Sequence, residues 1–386
     1  MNIGIDCRMY GIHNRGIGRY TERLILELAK LKDENRYTLF MDSKTAQEVE
    51  LDAGKFRIIK TDVPWYSLKE HFVMPKLIKE SRVDIMHWTH LNVSYWCPVP
   101  YIVTIHDLIV MHFPDSRATT LPDWKYKIKL WGYNKVLRNA VKNAQKIITV
   151  SEYTKRDIVK NLNVEESKIQ VTYLGVDKMI LGTQNLRNTP QFEKYLFDKF
   201  NIHKNYLLYV GSAYPHKNLE SLVDVFQILR KKYNRNWQLV LVGRIDEFYK
   251  RLQEYVKINI SEDLKEDIVF TGEVNNKDLD GIYRQAKLFV FPSKYEGFGL
   301  PPLEAMSHGV PVAASKQTSI PEVLGDAAYY FDPNNKENMS QAIDVLGSIH
   351  KIQDEFIEKG LARANQFSWN KTAVDTLDVY KKILKQ

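Results

Sequence analysis

The chain has 386 residues, of which 44% are hydrophobic and 26% charged, and its formal net charge is +8 at pH 7. This composition is ordinary for a globular protein and excludes disorder as the main feature, while the length favours two domains over one. The 2 cysteines are too few for a disulfide scaffold or a thiolate-rich metal site.

The amino-terminal end has the pattern of a strand, Met1 to Asp6, and lacks the basic and apolar regions of a signal peptide. No apolar stretch approaches the roughly 20 residues of a membrane span. We therefore expect a cytoplasmic location.

Short apolar runs alternate with helical patterns from residue 1 to about 182, which predicts a domain with a parallel α/β sheet. A helix that begins near Ile17 carries apolar residues at helical spacing, from Tyr20 to Leu31. The predicted strands are Asn2–Asp6, Tyr37–Asp42, Phe56–Thr61, Ile85–Trp88, Tyr101–Thr104, Lys146–Val150 and Ile169–Leu174.

The charge is concentrated between Arg117 and Lys160, where eleven Lys or Arg accompany three acidic residues. Residues 124–133 mix lysines with Trp and Tyr, a pattern typical of a peripheral membrane contact, although a solvated helical face would also explain it. No nucleic-acid-binding motif accompanies the charge, so nucleic acid is not a predicted partner.

A polar stretch, residues 183–205, is the predicted linker, and a second α/β series over residues 206–366 forms the second predicted domain. An amphipathic segment, residues 367–386, is expected to pack back on the first domain. The second set of predicted strands is Tyr206–Val210, Gln238–Val242, Ile268–Thr271, Leu288–Pro292, Val310–Ala314 and Ala327–Phe331.

The densest motif runs from Tyr295 to Pro311 and has the pattern of a strand, a glycine loop and a short helix that begins with Pro301 and Pro302. Backbone N–H groups at such a helix start favour an anion such as a diphosphate. Glu304, one turn into the helix, and Glu296, before the loop, could accept hydrogen bonds from ribose and sugar hydroxyls.

Three further motifs follow predicted strands. Gly211 and Lys217 follow one strand of the second domain, and a lysine there could neutralise a departing diphosphate. His106-Asp107 ends a strand of the first domain, where a histidine could contact the reacting sugar and the aspartate could orient or charge its ring. The third motif, Gly11 to Tyr20, carries glycines in a loop before a helix.

The context around the two glutamates, Glu-Gly-Phe-Gly-Leu-Pro-Pro-Leu-Glu-Ala-Met, resembles the Glu-x7-Glu motif of retaining glycosyltransferase family 4, and the other motifs follow in family order, with features of the bacterial mannosyltransferase branch. The resemblance implies a GT-B fold, two Rossmann-like doubly wound parallel-sheet domains facing across a cleft. It also implies a retaining, metal-independent and cofactor-free transfer of a hexose to a glycan or lipid-linked saccharide in surface polysaccharide synthesis. Mannose, donated by GDP-mannose, is the first expectation for this hexose.

The resemblance also assigns roles to individual residues. Ser212 stands where many relatives have an arginine, which leaves the phosphate site one cation short. The implied set is His106, Asp107 and Glu296 for catalysis; Gly16, Gly211, Ser212, Lys217, Glu273, Val274, Phe298, Gly299, Leu300 and Glu304 for the nucleotide-sugar donor; Arg15, Gly18 and Arg19 for the acceptor; and no metal ligand.

Two alternatives remain open. Gly16 and Gly18 after a strand, with Asp42 at the end of the next, are features of a nicotinamide dehydrogenase, although Thr21 stands at the third glycine position. A GT-B subunit that binds sugar nucleotide without catalysis is the other alternative.

Overall fold

The computed structural model describes residues 1–11, 14–114, 119, 121–177 and 190–384. Its described residues form two compact units. The first contains residues 1–114, 121–175 and the chain from Ser368 onward, and the second lies between Val176 and Phe367. Among the described residues, no helix combines the length and apolar character needed to cross a bilayer.

The first unit is built on a parallel sheet of seven strands in the order β3-β2-β1-β4-β5-β6-β7. Every residue of its strands Ile85–Trp88 and Tyr101–Ile105 is buried, as parallel sheets covered by helices require. The strands are β1 Asn2–Asp6, β2 Arg36–Met41, β3 Phe56–Lys60, β4 Ile85–Trp88, β5 Tyr101–Ile105, β6 Lys146–Thr149 and β7 Ile169–Val171.

The second unit has a parallel sheet of six strands in the order β10-β9-β8-β11-β12-β13. The strands are β8 Tyr206–Val210, β9 Gln238–Val242, β10 Ile268–Gly272, β11 Leu288–Phe291, β12 Val312–Ser315 and β13 Ala328–Phe331. The two doubly wound parallel sheets confirm the predicted fold class.

Helices cover the sheets of both units. Those of the first are α1 Arg15–Lys30, α2 Thr45–Glu48, α3 Glu70–Ser81, α4 Ile109–His112, α5 Asp123–Asn143, α6 Glu152–Leu162 and α16 Trp369–Leu384. Those of the second are α7 Pro190–Phe200, α8 Leu219–Tyr233, α9 Glu247–Asn259, α10 Glu262–Lys265, α11 Asn276–Gln285, α12 Leu300–Ser307, α13 Ile320–Leu324, α14 Lys336–Ser348 and α15 His350–Ala364.

The last helix of the chain, α16, packs on α1 in the first unit. The hydroxyl of Tyr380 lies 2.6 Å from Nδ1 of the buried His87, and Thr372 Oγ1 donates to the carbonyl of Tyr173 over 2.8 Å. A Cβ on Gly175 would lie 2.1 Å from the backbone nitrogen of Trp369, so this close backbone approach requires glycine.

Helix α7 lies inside the stretch that we expected to be a linker. Lys199 on α7 forms a 2.6 Å ion pair with Asp278 on α11, and the hydroxyl of Tyr195 donates to the same carboxylate over 2.8 Å. The described part of that stretch, 190–205, therefore belongs to the second unit.

The strand order reverses once in each sheet, between β1 and β4 and between β8 and β11. In doubly wound sheets, ligands bind beyond the carboxyl ends of the strands at this point. The loops after these strands are therefore where a site is expected.

Candidate active site

Lys217 and Glu296 meet beyond the carboxyl ends of β8 and β11. Lys217 ends a 3-10 turn, Pro215–Lys217, and its Nζ donates to Oε1 of Glu296 over 2.6 Å. The two side chains are only 16% and 9% exposed, and the Lys217 Nζ lies 6.0 Å from the centre of the Phe291 ring. The structure therefore brings a cation and a carboxylate predicted for the site into one largely buried pair.

The turn that carries Lys217 is held by its neighbours. The backbone N–H of Lys294 donates to the carbonyl of His216 over 2.8 Å, and the His216 ring stacks on Tyr214 with centroids 5.8 Å apart. Burial and the neighbouring charge of Lys217 lower the pKa of His216 to about 3. His216 is thus neutral near pH 7, and the positive charge of this turn comes from Lys217.

Gly211 and Ser212 form the loop after β8, and two tyrosines fix it. The hydroxyl of Tyr249 donates to the Gly211 carbonyl over 2.9 Å, and that of Tyr209 donates to the Ser212 carbonyl over 2.8 Å. A Cβ on Gly243, after β9, would lie 2.1 Å from the Gly211 carbonyl oxygen. Tyr249, Tyr209 and Gly243 were not predicted from the sequence, although a glycine directly after a buried strand was a signal for Gly243.

The loop before α12 is tied to the segment after β12. Ser319 Oγ donates to the carbonyls of Glu296 and Phe298 over 2.9 and 3.2 Å, and Thr318 Oγ1 accepts from the N–H of Glu296 over 3.0 Å. These two hydroxyls were not predicted from the sequence either. They hold the glycine loop in one conformation.

The start of α12 has the geometry that the motif predicts. Gly299, the residue before the helix, has a φ of 103°, a left-handed value that favours glycine. Pro301 and Pro302 have no N–H, so among the described residues of this first turn the donors are the N–H groups of Gly299 and Leu300. The side chain of Phe298 is buried and packs on Phe367, with ring centroids 5.8 Å apart, so only its backbone is placed for a ligand.

Glu304 lies one turn into α12 and is 7% exposed. The hydroxyl of Tyr283 donates to its Oε2 over 3.1 Å, and the Tyr283 ring stacks on His308 with centroids 5.0 Å apart. The carboxylate is therefore oriented by a neighbouring strand-connecting helix, α11.

Glu273 and Val274 follow the edge strand β10, where the pairing with β9 shifts register between Phe270 and Gly272. Glu273 is exposed and Val274 half-buried. Since β9 lies between β10 and β8, the ends of β10 and β8 are about 10 Å apart, and Glu273 and Val274 are separated from the loop after β8 by that spacing. The structure does not bring them to the Lys217–Glu296 pair.

In the first unit, His106 follows β5 and its ring is held by the backbone. Its Nε2–H donates to the carbonyl of Thr89 over 3.0 Å, and Tyr20 packs edge-on with centroids 4.9 Å apart. Burial lowers the pKa of His106 to about 4, although the Thr89 hydrogen bond opposes that shift. His106 is therefore a neutral ring with its Nδ1 able to accept.

Asp107, which we expected to orient that ring, has a different contact. Its Oδ1 accepts from the backbone N–H of Ile109 over 2.9 Å, at the start of α4. The carbonyl of Thr89 thus takes the orienting position that the sequence analysis gave to Asp107.

His90 and Tyr66 complete this end of the sheet and were missed. Nδ1 of His90 lies 3.4 Å from the Tyr66 hydroxyl, and burial together with the neighbouring His106 lowers the pKa of His90 to about 3. The signal for them was weak, because His90 follows β4 without a surrounding motif.

Gly16, Gly18, Arg19 and Tyr20 of the first glycine motif lie in α1 and not in a loop, whereas Gly11 and Asn14 precede that helix. Gly16 is exposed within the first turn of the helix, and Gly18 is buried with its Cα against the carbonyls of Met9 and Gly11. Arg19 is half-buried on the same helix. The Arg15 side chain and residues 12–13 lie outside the described residues. The helix begins two residues before the predicted start, at Arg15.

A buried charge cluster underlies this unit and was also missed. Arg8, after β1, bonds to Asp6 over 2.7 Å and to Glu70 at the start of α3, and Asn92 donates to Glu70 over 2.6 Å. Burial alone would lower the pKa of Arg8, but the two carboxylates raise it. The cluster fixes the segment from Tyr66 to Glu70, since the Tyr66 N–H also donates to Glu70 over 3.1 Å.

Two domain families match the chain. Residues 14–178 match the family described as Glycosyltransferase Family 4, and residues 193–363 match Glycosyl transferases group 1. Each match covers most of one structural unit.

Whole-chain comparisons agree with these domain families. The chain is 30% identical over 381 residues to O-antigen chain mannosyltransferase B of Escherichia coli, covering 95% of this chain and 96% of that protein. A Rickettsia africae glycosyltransferase has the same fold, with a TM-score of 0.71 at 21% identity, covering 100% of this chain and 99% of that one. Anabaena HepE, solved in complex with UDP and glucose, gives a TM-score of 0.72 at 16% identity, covering 99% and 100%.

Proposed function

This chain belongs to the group 1 glycosyltransferases of family 4, and from that premise we propose that it transfers mannose from GDP-mannose to a glycan or lipid-linked saccharide in surface polysaccharide synthesis. The support for mannose is the mannosyltransferase that aligns with 95% of the chain. The observation that carries the site is the Lys217–Glu296 pair at the strand-order reversal of the second unit.

The donor's diphosphate occupies the space beside Lys217 and the start of α12. Lys217 then exchanges part of its contact with Glu296 for a phosphate oxygen, and the N–H groups of Gly299 and Leu300 donate to the same group. Gly211 and Ser212 line the diphosphate through their backbone. This arrangement stabilises negative charge as it develops on the leaving group.

The sugar and the nucleoside are held by carboxylates. Glu296 accepts from hydroxyls of the transferred hexose, and Glu304, already oriented by Tyr283, accepts from the ribose. Glu273 and Val274, which follow the edge strand β10, contact the base of the donor.

The acceptor side is assigned to the first unit. His106, neutral and with Nδ1 able to accept, is assigned to contact with the reacting sugar, and Asp107 to catalysis beside it. Gly16 is assigned to donor binding, and Arg15, Gly18 and Arg19 to acceptor binding.

We propose retention of the anomeric configuration, by attack of the acceptor hydroxyl on the same face from which the diphosphate leaves. The leaving phosphate oxygen takes the proton of that hydroxyl as the new glycosidic bond forms. Lys217 and the α12 amides provide the electrostatic stabilisation, so we propose that no metal ion is needed.

The first experiment is a thermal-shift screen of the full chain against GDP, UDP, dTDP and ADP, their common sugar conjugates including GDP-mannose, and NAD, with EDTA present. Stabilisation by GDP and GDP-mannose over the other nucleotides is expected, because a ligand that binds the native state raises Tm. Stabilisation by NAD alone would favour a dehydrogenase, and no nucleotide effect would contradict the donor site.

Two variants then separate binding from turnover. Glu296→Gln should lower kcat more than donor affinity, whereas Lys217→Ala should also weaken donor binding, each by roughly 10- to 1,000-fold in kcat/KM. The exposed Lys250→Ala is the matched control for Lys217→Ala. Wild-type rates in both site variants would refute the assignment, and donor binding without any transfer would favour a non-catalytic subunit.

A further inference from the structure

Helix α5 presents large apolar side chains to solvent. Trp124, Ile128 and Trp131 are 63%, 61% and 66% exposed. Their spacing of four and three residues places them on one stripe of the helix. The opposite stripe, with Leu137, Ala140 and Val141, is buried in the core of the first unit.

A helix that buries one face normally has a polar outer face. Contiguous exposed apolar side chains of this size mark a surface that contacts a partner or a membrane. The chemistry around the stripe decides between these.

The charged side chains of α5 from Trp124 onward are all basic, because the sequence contains no Asp or Glu from Trp124 to Ser151. Lys135, Arg138 and Lys142 continue the same stripe toward the end of α5 and are exposed, and Lys125 and Lys127 flank it and are exposed as well. Lys125 Nζ lies 5.3 Å from the Trp124 ring centre and Lys135 Nζ 5.5 Å from that of Trp131.

We propose that this outer face of α5, Trp124, Ile128 and Trp131 with the surrounding lysines and Arg138, docks on the surface of an anionic lipid bilayer. Tryptophan rings place themselves at the depth of the headgroups, and lysines beside them pair with anionic lipids. Each basic residue near such a surface multiplies the affinity of the protein for the bilayer by about three to five. A stripe with apolar rings at one end and cations along its length satisfies both requirements.

Tyr133, on the inner face of the same helix, packs against the core of the first unit, which also contains Leu108, the residue after Asp107. Docking of α5 would therefore bring the first unit, to which we assign the acceptor, to the surface in which a lipid-linked acceptor is embedded. This second step rests on the proposed function, whereas docking itself does not.

The test is co-sedimentation of the full chain with phosphatidylcholine vesicles and with vesicles of equal phosphatidylcholine and phosphatidylglycerol. We expect binding to the second vesicles only, weakened by added salt because the charges are exposed. Equal binding to both vesicles, or binding to neither, would overturn the proposal.

Variants locate the contact. Trp124→Ser with Trp131→Ser, and separately Lys127→Glu with Lys135→Glu, should each weaken vesicle binding by at least about tenfold. Matched controls lie on α9 of the second unit, where Ile258 is 70% exposed and Lys250 and Lys257 are also exposed. Ile258→Ser, and Lys250→Glu with Lys257→Glu, should leave binding unchanged. Equal losses in the controls would refute a specific face.

Two further readouts separate the outcomes. If the α5 variants change self-association in sedimentation velocity while no vesicle binding occurs, the face is a contact between copies and the bilayer proposal fails. With acceptor embedded in vesicles, the α5 variants should lose transfer while retaining donor binding. Vesicle binding without any transfer would leave docking standing and contradict the proposed function instead.

Discussion

Glycines in the candidate site differ in what a side chain would meet. A Cβ on Gly16 would meet no atom of the described part of the chain within 4 Å, and the residue lies in the first turn of α1. Gly16→Ala should therefore leave the free energy of unfolding unchanged or raise it by up to about 1 kcal/mol, because alanine favours the helix. If the donor approaches Gly16, the added methyl should lower kcat/KM at the same time.

Urea unfolding and initial-rate kinetics on the same variant check both parts. A Cβ on Gly132, which is half-buried on α5, would also meet no atom of the described residues within 4 Å, so Gly132→Ala serves as the control in which only stability changes. Normal kinetics for Gly16→Ala would remove Gly16 from the donor contacts.

Gly243 is the opposite case. A Cβ there would lie 2.1 Å from the Gly211 carbonyl oxygen and 2.5 Å from the Tyr249 hydroxyl. Gly243→Ala should lower the free energy of unfolding by about 1–3 kcal/mol, since backbone and a packed ring must shift. Donor binding should weaken too, because the loop after β8 moves with Gly211. A thermal melt together with nucleotide titration measures both, and an unperturbed protein would contradict the geometry.

The residues of the site that the sequence analysis found all lie in contiguous motifs, as Lys217 and Glu296 do. Those it missed act across the fold. Ser319 and Thr318 come from the segment after β12 and Tyr249 from α9, and each contacts a loop that is distant in the chain. Single hydroxyls leave no pattern along a sequence, so only the topology reveals such contacts.

At the level of secondary structure elements, the predicted strands lie close to those observed, because parallel strands buried on both faces are short runs of apolar residues. The differences have local causes. The strand predicted from Val310 begins at Val312, after Pro311, whose nitrogen cannot donate to a ladder. The strand predicted to Leu174 ends at Val171, on the edge strand β7, which pairs with β6 alone.

The attachment of α3 to the first sheet depends on a buried ion pair. Glu70 is 0% exposed and Arg8 3%. Glu70→Ala should lower the free energy of unfolding by about 3–5 kcal/mol, because it leaves the buried guanidinium with one carboxylate instead of two. The loop from Tyr66 should also loosen, since its N–H loses the Glu70 acceptor.

The matched control lies on the same helix. The Glu80 side chain is 60% exposed and its contact with Lys76 is 3.9 Å long, so Glu80→Ala should cost less than about 1 kcal/mol. Denaturant unfolding of both variants measures the difference. Similar losses at the two positions would show that the buried cluster does not hold α3.

For the whole molecule, the first structural unit is discontinuous in sequence, because it combines the amino-terminal residues with the chain from Ser368 onward. Helix α16 packs on α1 in the first unit, so the core of that unit includes Tyr380 from near the end of the chain. The amphipathic pattern of residues 367–386 identified the helix, but its hydrogen bond to His87 links residues 293 apart in the chain. No periodicity encodes that pairing.

Both units bury histidines in neutral form, which makes the stability of the molecule depend on pH. The pKa values of His87, His90 and His216 are lowered to about 3 and that of His106 to about 4, in each case mainly by burial. In the unfolded chain these rings take up protons near pH 6.5, where the native rings do not. Their contribution to stability is therefore complete above pH 6.5 and is lost as the pH falls toward 4.

His87 gives the sharpest test, since it is 0% exposed and bonded on both ring nitrogens, to Tyr380 and to Thr104 over 2.8 Å. The wild-type free energy of unfolding should fall between pH 7 and pH 5, and His87→Phe should reduce that fall by roughly 2 kcal/mol even though it destabilises the protein at pH 7. Urea unfolding at the two pH values measures this, with exposed His350→Gln as the control that keeps the wild-type dependence. An unchanged fall in the His87 variant would mean that protonation of this ring does not oppose folding, and that the acid sensitivity arises from the other buried histidines.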